Sequence, residues 1–375
     1  MQISNYFVTV IIGTRPEAIK LAPLIRKFNS NNAFKVRVVL TGQHKELVKQ
    51  VLDIFNIKAD HNLNLMNSRQ SLSHITIKTI QGIEKELKNY RPNLVIVQGD
   101  TTTAFAGALT SFYEKIPVAH VEAGLRTDNI YDPFPEEVNR RIISQFATLH
   151  FAPTKTSENN LINSGIKKEV FLTGNTVIDA LLMVSKNIHK LKSLEDNNNF
   201  RYILLTAHRR ENRGEKLKNI TKGILSILEK FNDVKFIIPM HPNPEVKKPI
   251  IEYLGNESKV ILCESLDYLD IVSAMKHCYF IMTDSGGIQE EAPSLGKPVL
   301  ILRETTERPE GIDSGTAKLI GTSSKNIFLE AEKLLSDKKI YDEMSKAINP
   351  FGDGKASERI VKACLNKLKN ESNNY

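Results

Sequence analysis

The sequence predicts an α/β protein made of two doubly wound parallel sheets, and three observations carry that prediction. Short apolar, β-branched runs alternate with helix-period patterns along the chain, the signature of βαβ units whose strands are covered on both faces. The runs form two series, at residues 8–12, 36–41, 94–98, 118–121, 149–152 and 170–173, then at 202–206, 235–239, 260–263, 279–283, 299–302 and 318–320. At 375 residues the chain is too long for one ordinary core. The expected division is 1–175, 176–355 and a terminal helix within 356–375. A polar stretch at 186–200, running through Asp196-Asn197-Asn198-Asn199, marks the joint or a loop beside it. Ile360, Val361, Ala363, Cys364 and Leu365 give the terminal helix its apolar face.

Composition narrows the class. Hydrophobic residues make up 41% of the chain and charged residues 25%, as in soluble globular proteins. The net charge is +8, but the lysines are scattered, and no segment interleaves basic and aromatic residues as a nucleic-acid groove does. The excess is therefore assigned to solvated surface plus one anionic-ligand cleft. Cys263, Cys278 and Cys364 have no paired spacing. That argues against a disulfide framework or a zinc site and for a reducing cytoplasm. The only apolar run near the N-terminus, residues 7–12, is too short for a signal segment or a membrane span, so neither membrane nor nucleic acid is an expected partner.

In doubly wound sheets ligands sit beyond the carboxyl ends of the strands, so each run is judged by the residues just past its end. The first leads into Gly13-Thr14-Arg15-Pro16-Glu17, where Pro16 suits a helix start, Arg15 is placed for a crevice, and Lys20 lies one turn on. The run at 94–98 is followed by Gly99-Asp100-Thr101-Thr102-Thr103. Asp100 is either a helix cap or a strand-end carboxylate. The run at 118–121 contains His120 and leads into Glu122-Ala123-Gly124-Leu125-Arg126. Asp132-Pro133-Phe134-Pro135-Glu136-Glu137 then opens a helix carrying Asn139, Arg140 and Arg141, with acids that complement a helix dipole or serve chemistry.

In the second series, residues 202–207 run into His208-Arg209-Arg210-Glu211-Asn212-Arg213-Gly214, poor core material and good material for a diphosphate. His241 comes after the next run. The run at 279–282 precedes Thr283-Asp284-Ser285-Gly286-Gly287-Ile288-Gln289-Glu290-Glu291. Strand, glycine turn and helix start make a phosphate seat, with Ser285 as donor and Glu290 or Glu291 available to ribose hydroxyls; the plain alternative is an ordinary βα turn.

The chain lacks the Gly-x-Gly-x-x-Gly and P-loop fingerprints, metal-ligand spacings and a Gly-x-Ser-x-Gly elbow. No cofactor and no metal are expected. Asp100, Glu122, Glu136, one histidine and several arginines remain, which is acid/base equipment beside an anion site.

These motifs, with Thr305-Thr306-Glu307-Arg308-Pro309-Glu310, resemble the bacterial non-hydrolysing UDP-N-acetylglucosamine 2-epimerases over residues 13 to 320, in order. The resemblance implies a GT-B-like fold, two Rossmann-like domains around a central cleft with the last helix crossing back to the first domain. It implies cofactor-free interconversion of UDP-GlcNAc and UDP-ManNAc through 2-acetamidoglucal, supplying ManNAc units for surface polysaccharide, and usually a homodimer. By the same resemblance Asp100, Glu122, Glu136 and His208 are the acid/base and leaving-group candidates. Arg15, Lys20, Arg140, Ser285, Gly286, Gly287 and Glu291 would bind substrate. Gln43, His44, Arg69, Arg210 and His241 correspond to a second UDP-GlcNAc site of some members, although position 46 carries Glu46 where activated members can carry Gln. Competing expectations are a hydrolysing relative, an epimerase of a modified UDP-HexNAc, a GT-B glycosyltransferase and a non-catalytic nucleotide-sugar sensor.

Overall fold

The computed structural model describes residues 5–43, 45–65, 70–127, 129–191, 194, 199–241 and 243–372. The chain packs as two compact units, Met1–Ala180 with Gly352–Tyr375, and Leu181–Phe351.

In unit 1 the order is β1 (Tyr6–Ile12), α1 (Arg15–Asn29), β2 (Phe34–Leu40), α2 (Lys45–Ile54), β3 (His61–Asn62), α3 (Leu72–Asn89), β4 (Leu94–Gln98), α4 (Thr102–Tyr113), β5 (Val118–Val121), α5 (Glu136–Phe146), β6 (Leu149–Ala152), α6 (Lys155–Asn163), β7 (Val170–Leu172) and α7 (Thr176–Ser185). The boundary with unit 2 falls inside α7. The seven strands are parallel in the order β3-β2-β1-β4-β5-β6-β7, so the chain reverses direction across the sheet between β1 and β4. Apolar strand residues such as Ile11, Val39, Val95 and Val97 pack with Ile83, Leu87, Ala104 and Ile143 of the covering helices. Each of the Ile, Val and Leu side chains among them contributes about 1.5–3 kcal/mol by leaving water.

Unit 2 repeats the plan: β8 (Arg201–Thr206), a 3₁₀ turn (Arg210–Asn212), α8 (Glu215–Lys230), β9 (Val234–Pro239), α9 (Pro244–Leu254), β10 (Val260–Cys263), α10 (Tyr268–His277), β11 (Phe280–Thr283), α11 (Gly286–Glu291), β12 (Val299–Ile301), α12 (Pro309–Asp313), β13 (Ala317–Leu319), α13 (Ser324–Ser336) and α14 (Lys338–Lys346). Its parallel order is β10-β9-β8-β11-β12-β13, with the reversal between β8 and β11. The GT-B-like pair of Rossmann-like sheets is thus present.

The last helix, α15 (Ala356–Ser372), belongs to unit 1 and packs on α1. It buries Ile360, Val361, Cys364 and Leu368. Asp179 starts it, accepting the Ser357 N–H at 2.8 Å and the Ala356 N–H at 3.2 Å.

The limits of β4, β5, β6 and β10 are those the sequence predicts, the other predicted strands differ by one or two residues at one or both ends, and β3 is additional. Its two residues, His61 and Asn62, are polar and too few to show a strand period. Cys278 is the C-terminal cap residue of α10. The stretch at 186–200 follows the unit boundary; residues 192–193 and 195–198 lie outside the described residues. Among the described residues no helix is long and apolar enough to cross a membrane.

Candidate active site

The carboxyl ends of β1, β4, β5 and β7 converge on one carboxylate. Glu122 directly follows β5 in the left-handed region, φ +61°, a conformation costing a non-glycine residue on the order of 1 kcal/mol. It is 8% exposed. Lys20 Nζ donates to its two oxygens at 2.7 and 2.6 Å, Asn175 Nδ2 donates to Oε1 at 3.0 Å, and Gln98 Nε2 donates to Oε2. The turn is held by Gly124, φ +95°, where an added Cβ would lie 2.2 Å from the Ser157 carbonyl oxygen.

Asp100 is not the cap of α4; Thr101 is, its hydroxyl accepting the Ala104 N–H at 3.0 Å. The Asp100 carboxylate instead meets Arg140 Nη2 at 2.5 Å. Burial raises the Asp100 carboxyl above the ordinary Asp range, the Arg140 and Lys20 cations pull it down, and nearby Glu122 adds to the rise. A half-buried acid balanced between cations and a second carboxylate is suited to gaining and losing a proton. Arg140 is steadied by Glu137 at 3.3 Å, and Asn139 Nδ2 donates to the Asp100 carbonyl at 2.9 Å. Glu137 is fully buried and also pairs with Arg141, so this neighbour of Glu136 serves the scaffold. Glu136 opens α5 half-buried, without a hydrogen bond or ion pair among the described residues, and Arg15 opens α1 in the same condition.

Three polar residues here escaped the sequence reading of roles. Gln98 and Asn175 hold Glu122; both follow from the strand-end rule, since Gln98 ends β4 and Asn175 lies just beyond β7. The third is Glu17, 1% exposed. Its Oε2 accepts the Thr14 N–H at 2.6 Å and the Gly13 N–H at 3.2 Å, and its Oε1 accepts the Thr101 hydroxyl at 2.9 Å. One carboxylate thereby ties the β1 and β4 turns that carry Arg15 and Asp100. Burial raises it to about 7 despite those hydrogen bonds. His120 is fully buried, donates Nε2–H to the Gly99 carbonyl at 2.7 Å, and is pushed by burial down to about 3, so it stays neutral. Gln43, beyond β2, accepts the Thr103 hydroxyl at 3.4 Å. His44 and Arg69 lie outside the described residues.

Unit 2 gathers a second set of groups beyond β8, β9 and β11. Asp284, fully buried, accepts the His208 and Arg209 N–H groups and Asn212 Nδ2 at 2.9, 2.8 and 2.9 Å, fixing the turn after β8. His208 stacks on His241 with ring centres 5.7 Å apart and planes at 4°. Burial lowers the His208 imidazole, with His241 and Arg209 acting the same way and Asp284 opposing. Arg210 is exposed.

Ser285 precedes α11, whose first residues are Gly286 and Gly287. A Cβ at Gly286 would meet the Arg308 guanidinium at 2.6 Å, whereas a Cβ at Gly287 would have nothing within 4 Å. The chain therefore leaves open space at Gly287 and brings a cation against Gly286 at the helix start, as an anion seat requires. Arg308 Nε is anchored on Glu290 at 2.5 Å. That commits Glu290 to the scaffold, and its neighbour Glu291 is 9% exposed.

The sequence profile of the UDP-N-acetylglucosamine 2-epimerase family matches residues 26–365. A UDP-N-acetylglucosamine 2-epimerase from Campylobacter jejuni is 47% identical over 378 residues, spanning 97% of this chain and 99% of that protein. The crystal structure of UDP-GlcNAc 2-epimerase from Neisseria meningitidis bound to UDP-GlcNAc is 46% identical and superposes with a TM-score of 0.86, covering 96% of this chain and all of the other. That of the Methanocaldococcus jannaschii UDP-GlcNAc 2-epimerase in complex with UDP-GlcNAc and UDP is 37% identical, with a TM-score of 0.76 over 96% and 99% of the two chains.

Proposed function

This chain belongs to the UDP-N-acetylglucosamine 2-epimerase family, and from that membership we propose that it interconverts UDP-GlcNAc and UDP-ManNAc without hydrolysis. The observation that carries the reading is the pairing of Glu122 with Lys20 and of Asp100 with Arg140 at adjacent strand ends. A base among Asp100, Glu122 and Glu136 takes the C2 proton as the C1–O bond breaks, giving 2-acetamidoglucal and UDP. UDP then re-adds while C2 is protonated on its opposite face. The C2 proton is weakly acidic, so charge developing on the diphosphate needs stabilisation. His208 and Arg15 supply it, and Ser285, Gly286, Gly287 and Glu291 hold UDP. Lys20 and Arg140 set the electrostatics of the carboxylates.

Turnover of UDP-GlcNAc in deuterated water, followed by mass spectrometry, tests the reading. The expected result is deuterium at C2 of both UDP-sugars. Free ManNAc as the main product would mean a hydrolase, and UDP-GlcNAc bound without exchange would mean a sensor. The reading extends to a cytoplasmic enzyme feeding ManNAc into surface polysaccharide. Gln43, His44, Arg69, Arg210 and His241 are proposed as a second nucleotide-sugar site. A homodimer is supported by the exposed Ile77, Phe112, Tyr113 and Ile142 on helices α3, α4 and α5, and light scattering would measure it.

A further inference from the structure

Asp284 divides its two oxygens unequally. Oδ2 is saturated by three N–H donors from the turn after β8. Oδ1 is buried and makes no hydrogen bond among the described residues. The ring nitrogen facing it is His208 Nδ1, 3.4 Å away, longer than an ordinary hydrogen bond and within the range over which catalytic contacts tighten on ligand binding. A carboxylate on one ring nitrogen selects the tautomer protonated there and favours the imidazolium. His241 covers one ring face and accepts the Asn243 N–H on its own Nδ1 at 3.1 Å, so it presents no competing acceptor through that atom.

We propose that Asp284 and His208 form a carboxylate–imidazole dyad, with Asp284 as the positioning residue that holds the proton on Nδ1 and leaves Nε2 as the nitrogen that meets the diphosphate. The role of Nε2 rests on the epimerase reading; the dyad itself does not. Neutral His208 then carries Nδ1–H, and charged His208 offers Nε2–H to the oxygen leaving C1, a charge-assisted contact that strengthens as that oxygen becomes anionic. The charged and titratable groups facing the ring are Asp284 from the end of β11, His241 from beyond β9 and Arg209 beside it in sequence.

Asp284→Asn separates this role from simple turn capping. The Asn oxygen can keep the three donors only by placing its NH2 group where Oδ1 stood, and that group would force His208 Nδ1 to become an acceptor. Long-range ¹⁵N–¹H spectra should show the Nδ1–H tautomer in the native protein and Nε2–H in the variant. The pKa of His208 should fall in the variant, and kcat should drop on the order of 10²- to 10⁴-fold while UDP affinity holds. The same tautomer in both proteins, or undiminished kcat, would overturn the dyad. Should the variant not fold, the native spectrum decides alone, since an Nε2–H tautomer of neutral His208 is incompatible with it. A native protein showing the Nδ1–H tautomer but no C2 exchange would keep the dyad and discard the epimerase reading.

Discussion

At the scale of single residues, the site is a set of charges held by neutral amides and by one another. Asp100→Asn and Glu122→Gln keep shape but remove the proposed acid/base groups. C2 deuterium exchange should fall by at least about 10²-fold in each, with UDP affinity retained; loss of UDP binding instead would place these carboxylates in ligand recognition. Ser285→Ala and Gly286→Ala should act the opposite way. The first removes a hydroxyl donor, and the second drives a methyl into the Arg308 guanidinium, which Glu290 holds in place. Calorimetry should show UDP weakened about tenfold, ~1.4 kcal/mol, in each. Gly124→Ala has both a conformational and a steric cost, because its φ of +95° and the Ser157 backbone oxygen each oppose a Cβ. The variant should lose more than about 1 kcal/mol in urea unfolding.

Among the elements, α15 shows how a distant segment supports the first sheet. It covers α1, the helix that carries Arg15, Glu17 and Lys20, and its start depends on one side chain from α7. Burial raises the Asp179 carboxyl, and the Ser357 and Ala356 N–H groups oppose that rise. Asp179→Ala should cost roughly 1–3 kcal/mol by orphaning two buried donors. Hydrogen exchange is expected to rise first in α15; unchanged protection there would show that packing of Ile360, Val361, Cys364 and Leu368 suffices. The helix was legible as an amphipathic tail because its apolar positions repeat at helical spacing. Its cap was not, since Asp179 and Ser357 are far apart in sequence.

For the whole molecule, buried titratable groups make stability depend on pH in opposite directions. Glu17 is raised from an ordinary 4.5 to about 7, so the folded state binds the extra proton between those values. Its contribution is fully present below about 4.5 and is lost as pH rises to 7. His120 and His150, lowered to about 3 and about 4 by burial, act in reverse, favouring the fold above their ordinary 6.5 and losing that support on acidification. Glu17→Gln isolates the first effect. Urea midpoints of variant and native protein should diverge between pH 5 and 8, the variant gaining up to roughly 3 kcal/mol relative to the native chain. Parallel curves would show that Glu17 stays charged throughout.

Sequence by itself determined the two series of strands, because strand and helix periods are local properties of the chain. It also singled out Asp100, Glu122, His208 and Ser285 as candidates, because the ends of strands in a doubly wound sheet are where ligands are met. It left open whether Asp100 caps a helix and whether Glu290 belongs to the scaffold. Thr101 and Arg308 settle those questions through contacts made only after folding. The partners of Glu122 come from positions 20, 98 and 175, and those of Asp284 from beyond a neighbouring strand. Which carboxylate is paired, which is buried and which imidazole nitrogen is engaged depends on distances across the sheet, and only the tertiary structure brings those residues within reach.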